Sequence, residues 1–379
     1  MYDIGSELLR DILKRLVEET ATKDQGKRIA AWKERLRADL TERTRWVMRE
    51  PCFLSTKGHE DPHPVKQAER MRAELEPRWC KVRAEQLAWP PEVMAWIASK
   101  KQQAPETEWQ GHDLYLYATK GRGTGAGPDQ WTASHLCMMG EEFWERLADL
   151  WKLCMQTKRL PEAWLHARVV GIPKPGSDEK RPISVAAVCW RIGIGYQVYK
   201  LREWVDQWAP PEVVGGLAGR DPADFYDAFS TTVAEAASAG QCILGCKLDL
   251  EKCFDLVCYE DANRMLKELG APQAFIDILE VFDELQVRHI ECERHVHPEP
   301  MRPQRSLMQG CPASPLRLTV VMAAWVYYMR SRAPTANVSM HMDDRILYQK
   351  SRSMHTIKAT MAENAKFEKI FDMKDNAKK

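Results

Sequence analysis

The segment MHMDDRILYQK, residues 340–350, sets two aspartates, Asp343 and Asp344, among apolar side chains, and the run CILGCKLDL, residues 242–250, carries a third, Asp249, at its end. Carboxylates held together repel one another, and a divalent cation relieves the conflict. Mg²⁺ suits the task, because it takes hard oxygen ligands and is commonly held by one or two carboxylates plus substrate phosphates. Two such ions about 3.5 to 4 Å apart stabilise both the attacking and the leaving oxygen of an in-line phosphoryl displacement. A D-D dipeptide alone suits a solvated turn equally well, since Asp is a common turn residue. The chemistry therefore requires a strand ending in Asp249 to lie beside a turn that carries Asp343 and Asp344.

Periodicity supplies those elements. Residues 242–250 form a short β-prone run, and Val338 to Tyr348 reads as strand, tight turn, strand with the acids at the tip. Between them, helical patterns cover about 259–269 and 272–284, a strand pair spans 285–304, and Pro312 and Pro315 introduce a long apolar helix over 315–330. Residues 353–372 are helical again. Upstream, ARVVGI and RPISVAAV flank a turn containing Pro173, Pro175 and Gly176, which predicts a β-hairpin over 166–188 with Lys174 and Arg181 on its two arms. Helical patterns follow at roughly 190–208 and 222–238.

Nearer the N-terminus, Leu136, Met139, Phe143, Leu147, Leu150, Trp151 and Cys154 share one face of a predicted helix. The glycine-rich stretch KGRGTGAGPDQW, residues 120–131, has no preceding strand and no G-K-[ST] after it, so a flexible connector is expected rather than a phosphate cradle. Residues 1 to about 105 are charged and helical in pattern, with Leu8, Leu9, Ile12, Leu13 and Leu16 and then Trp32, Leu36 and Leu40 at helical spacing. Prolines at 51, 62, 64, 77, 90, 91 and 105 cut this accessory region into short pieces.

Composition narrows the function class. The 379 residues carry 55 Lys plus Arg against 54 Asp plus Glu, a formal net charge of +1, so bulk charge lends no support to nucleic-acid binding and any such reading rests on local features. Hydrophobic residues at 44% and charged residues at 29% fit an ordinary globular protein. No apolar run approaches the ~20 residues of a membrane span, so no membrane partner is expected. The first twenty residues lack the features of a signal peptide, and an intracellular address follows. Eleven cysteines without a C-x-x-C pair read as reduced core residues. The densest Cys/His patch, His289, Cys292, His295 and His297, matches no familiar zinc spacing and is expected to be a polar hairpin.

Several segments in fixed order carry a family resemblance. KLDLEKCFD (247–255) resembles motif A of reverse transcriptases, LMQGCPASPLRL (307–318) motif B, and HMDD (341–344) motif C. VVGIPKPG followed by RPISV is similar to the fingers motifs, and GPDQW to the first fingers segment of the non-LTR retrotransposon and group II intron branch. FDMKDNAKK resembles motif D, with Asn376 and Lys379 in an N-x-x-K pattern.

The resemblance implies an α+β right-hand polymerase fold with fingers and palm, an antiparallel palm sheet backed by helices, and an N-terminal helical extension. Its expected division is extension 1–110, fingers 111–240 and palm 241–379. It implies RNA-directed DNA polymerase activity with an RNA template, a DNA primer and dNTPs, two Mg²⁺ ions with Mn²⁺ as the alternative, and nuclear action in a eukaryotic host. Asp249 and Asp343 match the metal-binding aspartates, Asp344 the adjoining acid, and the Leu250 carbonyl a further metal ligand. Lys174 and Arg181 match residues that clamp the triphosphate. Phe254 matches the aromatic under the incoming sugar, which disfavours a 2′-hydroxyl and thus an RNA polymerase. Gln309 and Gly310 match the motif B pair beside the nucleotide and template, and Lys379 the proton donor to pyrophosphate. Departures are His341 and Met342 where an aromatic and a small residue are usual, Cys253 for Ala, and Arg317 in an apolar run. The sequence ends within motif D, so a core fragment without thumb, poorly active or inactive alone, is expected. The competing expectation is a catalytically degenerate nucleic-acid-binding remnant.

Overall fold

A computed structural model describes residues 63–81, 87–173, 180–217, 219–220, 222–293 and 295–376. The helices expected around Leu8 to Leu16 and Trp32 to Leu40 lie outside these residues, as do Lys174 and Lys379. The described chain opens with α1 (Pro64–Trp79) and α2 (Pro91–Lys100). Each starts with proline, whose absent N–H has no intrahelical partner to lose at that position. Then come α3 (Gly111–Lys120), α4 (Ala133–Leu136) and α5 (Glu141–Thr157). The single helix expected from Leu136 to Cys154 is thus two, because Gly140 takes an extended conformation and caps the second. The break changes the buried face: Trp144, Leu147, Ala148, Trp151 and Cys154 point inward, while Leu150 faces solvent.

The expected hairpin forms as β1 (His166–Pro173) and β2 (Lys180–Ala186). It leads into α6 (Val188–Lys200), α7 (Arg202–Trp208) and α8 (Pro222–Ser238). β3 (Ile243–Asp249), the short α9 (Cys253–Leu256), α10 (Tyr259–Leu269) and α11 (Gln273–Leu285) follow. Next are β4 (Val287–Cys292), β5 (His295–Val296) and α12 (Ala313–Arg332). The last elements are β6 (Asn337–His341), β7 (Asp344–Lys350) and α13 (Met354–Ile370).

Two small sheets result. β3-β7-β6 is antiparallel throughout, and the edge of β6 is covered by Val213, which bridges Met340 in parallel. The second sheet runs β2-β1-β4-β5, with β1 and β4 parallel. That parallel pairing joins segments more than a hundred residues apart. The strand pair expected over 285–304 has a return arm of only two residues, after which Met301 pairs back with Arg288.

α12 is apolar around most of its circumference, as a fully enclosed helix must be, and packs against α2, α6, α10, α13 and β6. Its one charge in the apolar stretch, Arg317, is buried and meets Asp283 of α11 with Nη2–Oδ2 at 2.6 Å and Nη1–Oδ1 at 3.0 Å. α1 lies on the second sheet, where Ala68, Met71, Leu75 and Trp79 join Val169, Ile290 and Met301 in a separate small core. Among the described residues no helix is long and apolar enough to cross a membrane, and every cysteine is a free thiol.

The Cys/His patch lies on the β4–β5 hairpin, where Cys292 pairs with His295. His289 hydrogen-bonds His166 across β4 and β1 at 2.9 Å with the rings stacked, Cys292 is buried, and His297 bonds the Glu299 backbone. Burial and then the neighbouring His166 push the His289 imidazole below its ordinary range. The unfolded chain therefore takes up this proton at a higher pH than the folded chain does. Stability from the neutral pair is present above about pH 6.5 and is lost as the pH falls through the depressed value. Urea unfolding at neutral and mildly acidic pH should show a larger acid loss for the wild type than for His289→Gln. Equal losses would mean that the pair makes no pH-dependent contribution.

Candidate active site

The acids singled out in the sequence converge. Asp249, the last residue of β3, is the direct cross-strand partner of Asp344, the first residue of β7. Asp343 occupies the two-residue turn between β6 and β7, after Met342, whose φ of 58° is a left-handed conformation that favours glycine. A Cβ on Gly215 would strike Met342, so the bulk of this side chain is accommodated by glycine opposite it. All three acids are half-buried. The buried Cys253 thiol lies near two of them: desolvation pushes it up first, and Asp343, then Asp255 and Asp249, push it further, against Arg345.

Each of these two strand ends also has a local partner. Lys247 sits on Asp344, Nζ–Oδ1 at 3.0 Å, and that hydrogen bond raises the Lys247 ammonium above its usual range. Asn376 donates its backbone N–H to the Asp249 carbonyl at 2.8 Å and its Nδ2 to Asp249 Oδ2 at 3.2 Å. Leu250 is buried and bridges Asp375. The bonds on either side of that bridge join Asn376 to Asp249 and Glu251 to Lys374, so the Leu250 carbonyl lies outside this ladder. Among the described residues no three His, Cys, Asp or Glu side chains are grouped closely enough to hold a metal ion. What the register offers is hard oxygen donors alone: two facing carboxylates, a third on the adjacent residue, and a backbone carbonyl.

A second set of residues meets where β2 approaches the loop before α12. The Ser184 N–H donates to the Gln309 carbonyl at 2.7 Å, and the Leu307 N–H to the Phe254 carbonyl at 2.7 Å. Gly310 has φ 119°, and any Cβ there would run into the Ser184 carbonyl oxygen, so the close approach of this loop to β2 requires glycine. Arg181 is exposed on β2, three residues before Ser184, and Phe254 is half-buried on α9. Asp255 beside it is buried, and accepts from Trp79 Nε1 at 2.9 Å, Arg78 Nη1 at 3.1 Å and, at a longer 3.4 Å, Gln309 Nε2. α1 thus reaches the Gln309 loop through one carboxylate. The glycine-rich stretch is also tied down: Arg191 donates to the Gly125 carbonyl at 2.7 Å, and Asp129 accepts the Val188 N–H at 3.0 Å at the start of α6.

Sequence reasoning missed Lys247, Asp255 and Arg345 as parts of this centre. A signal for Arg345 was present, since in DRILYQK it occupies an inward position of the strand alternation, where an unpaired charge would be untenable. Comparison with known proteins supplies a family for this arrangement of paired aspartates on an antiparallel sheet beside a glycine-dependent loop. The sequence model of reverse transcriptases (RNA-dependent DNA polymerases) matches residues 172–379, more than half of the chain and all the segments just described from β2 onward. The chain belongs to the reverse transcriptase family.

Proposed function

We propose that this chain is the polymerising core of an RNA-directed DNA polymerase that extends a DNA primer on an RNA template with dNTPs. The observation that carries the reading is the register that sets Asp249 against Asp344, with Asp343 in the adjoining turn, inside the family match. Residues 111–240 act as fingers and 241–379 as palm, with 1–110 as an accessory extension. The donor set of Asp249, Asp343 and the Leu250 carbonyl fits Mg²⁺, or Mn²⁺, because the protein's usual share of such a site is one or two carboxylates and the substrate phosphates complete it. Bound there, two divalent ions supply charge neutralisation for in-line displacement at phosphorus.

The chain's own groups do the rest. The primer 3′-hydroxyl gives its proton to solvent water, its oxygen forms a bond to the α-phosphorus as the bond from that phosphorus to the bridging oxygen breaks, and pyrophosphate leaves. Arg181 and Lys174 hold the triphosphate, a planar fork beside a flexible point charge. Gln309 and Gly310 flank the incoming nucleotide and template. The Lys379 ammonium gives its Nζ proton to the departing pyrophosphate, a general-acid role. Phe254 lies under the sugar and leaves no room for a 2′-hydroxyl. Phe254→Val is therefore expected to raise rNTP incorporation relative to dNTP by about tenfold, roughly 1.4 kcal/mol of discrimination. Single-nucleotide insertion with each substrate class measures this, and an unchanged ratio refutes the role.

The test of the reading is primer extension by the purified chain with an RNA template, a DNA primer, dNTPs and Mg²⁺. Template-dependent extension is expected, and its absence favours the second reading, a nucleic-acid-binding remnant that has lost turnover. One observation supports that alternative: the Lys247 ammonium is paired with Asp344.

A further inference from the structure

Arg345, the residue after Asp344, is 0% exposed. Its Nη2 contacts Glu368 Oε1 and Asp375 Oδ1, each at 2.6 Å, its Nη1 contacts Asn364 Oδ1 at 3.2 Å, and its guanidinium lies 5.0 Å from the centre of the Trp325 ring. Asn364 cross-links the group. It accepts from Trp325 Nε1 at 2.9 Å and donates to Glu368 Oε1 at 2.8 Å and Asp375 Oδ2 at 3.1 Å. Four elements of the chain are therefore joined in one polar cluster: β7, α12, α13 and the segment after α13.

Asp375 is gripped twice, through its side chain by Arg345 and Asn364, and through its backbone by the bridge to Leu250. The next residue, Asn376, bonds the Asp249 carboxylate. Followed in sequence, the contacts close a ring that runs from Asp344 to Arg345, across to Asp375, on to Asn376, across to Asp249, and back to Asp344 through the cross-strand pair. A buried ionic cluster is a poor source of net stability, since apolar side chains of the same volume commonly do as well or better. Its distinctive capacity is to specify one geometry, because every partner is directional.

We propose that Arg345 and Asp375 are positioning residues that lock the Lys374–Asn376 segment onto the end of β3, so that the Asn376 amide holds the Asp249 carboxylate in place opposite Asp344. The role rests on the polymerase reading of Asp249 and Asp344. Arg345 is fully enclosed and Asp375 is bound to it, so both act through Asn376. Outer partners of metal-binding carboxylates typically change metal affinity by about 10- to 100-fold when removed.

Two readouts separate this role from bulk stability. The first is amide hydrogen exchange over residues 247–251 in the full chain, compared among wild type, Arg345→Met, Asp375→Asn and Asn376→Ala. The second is the Mg²⁺ concentration that gives half-maximal primer extension. Arg345→Met is expected to speed exchange at 247–251 more than in α10 or α11. Asn376→Ala, at a half-buried position outside the cluster, is expected to keep the wild-type melting temperature and to raise half-saturating Mg²⁺ about tenfold. The more conservative Asp375→Asn is expected to fall between them. Unchanged exchange at 247–251 in Arg345→Met and Asp375→Asn overturns the lock, whatever extension shows, and an Arg345→Met chain that fails to fold leaves the other two variants to decide. Wild-type chain that extends no primer overturns the polymerase reading instead, while the exchange comparison still decides the lock.

Discussion

An Asp343→Asn chain is expected to lose primer extension by roughly a thousandfold or more, the equivalent of several kcal/mol of transition-state charge stabilisation, while unfolding at the wild-type temperature. The substitution keeps size and hydrogen-bonding shape and removes one negative charge. Asp343 sits in a two-residue turn closed by the His341–Asp344 pair, with Met342 at φ 58°, and an amide of the same size fits the same place. In the proposed site Asp343 holds metal, while Asp344 is the adjoining acid and pairs with Lys247. Asp344→Asn should therefore be the milder of the two in activity, and it should also free Lys247, whose ammonium would return toward its ordinary range. Primer extension and thermal melting of both variants check this. If Asp343→Asn extends primers as the wild type does, turnover does not come from these aspartates.

The largest expected effect on stability lies away from the acids. Arg317→Met is expected to cost about 3–5 kcal/mol, because it strands Asp283 in the core with one partner removed. Asp283 is buried, and beyond Arg317 it has the Asn263 Nδ2 at 3.2 Å. Burial already pushes the Asp283 carboxyl up, against the pull of Arg317. Without the guanidinium the folded-state value rises further. A group held above its unfolded value contributes stability that is lost as the pH rises through the folded value. The defect should therefore be smaller in mild acid than at neutral pH. The double change Arg317→Met with Asp283→Leu should recover most of the loss, leaving about 1–3 kcal/mol for the unpaired Asn263. Urea unfolding of the two variants at both pH values measures this, and a double variant no more stable than the single one refutes the stranded-charge account.

Much of this architecture was legible from local pattern. The alternation in Val338 to Tyr348 and in residues 242–250 marked the strands that carry Asp249, Asp343 and Asp344, and the proline-led apolar run marked α12. Hairpins and helices are read this way because their side chains repeat at two or 3.6 residues whatever lies far away in the chain. The break at Gly140 was missed because the apolar spacing continues across it, although the register of the buried face does not. The parallel pairing of β1 with β4 was missed for a different reason: nothing in either strand names a partner more than a hundred residues away. Arg317 looked like a blemish in its motif and proved to be a buried charge with a distant partner, Asp283, and Asp255, at the end of motif A, is likewise buried and meets Arg78 and Trp79.

The sequence by itself determined most of the described segments, their order, and the acids they carry, because those follow from short-range periodicity and from motifs read within a few residues. Only the tertiary structure decided that Asp249 faces Asp344, that Lys247 and Asn376 attend them, and that Arg345 is enclosed by Glu368 and Asp375. Burial decides it physically: a charge taken out of water needs a directional partner close by. Which side chain fills that place is set by how the helices and sheets pack, not by any neighbour along the chain.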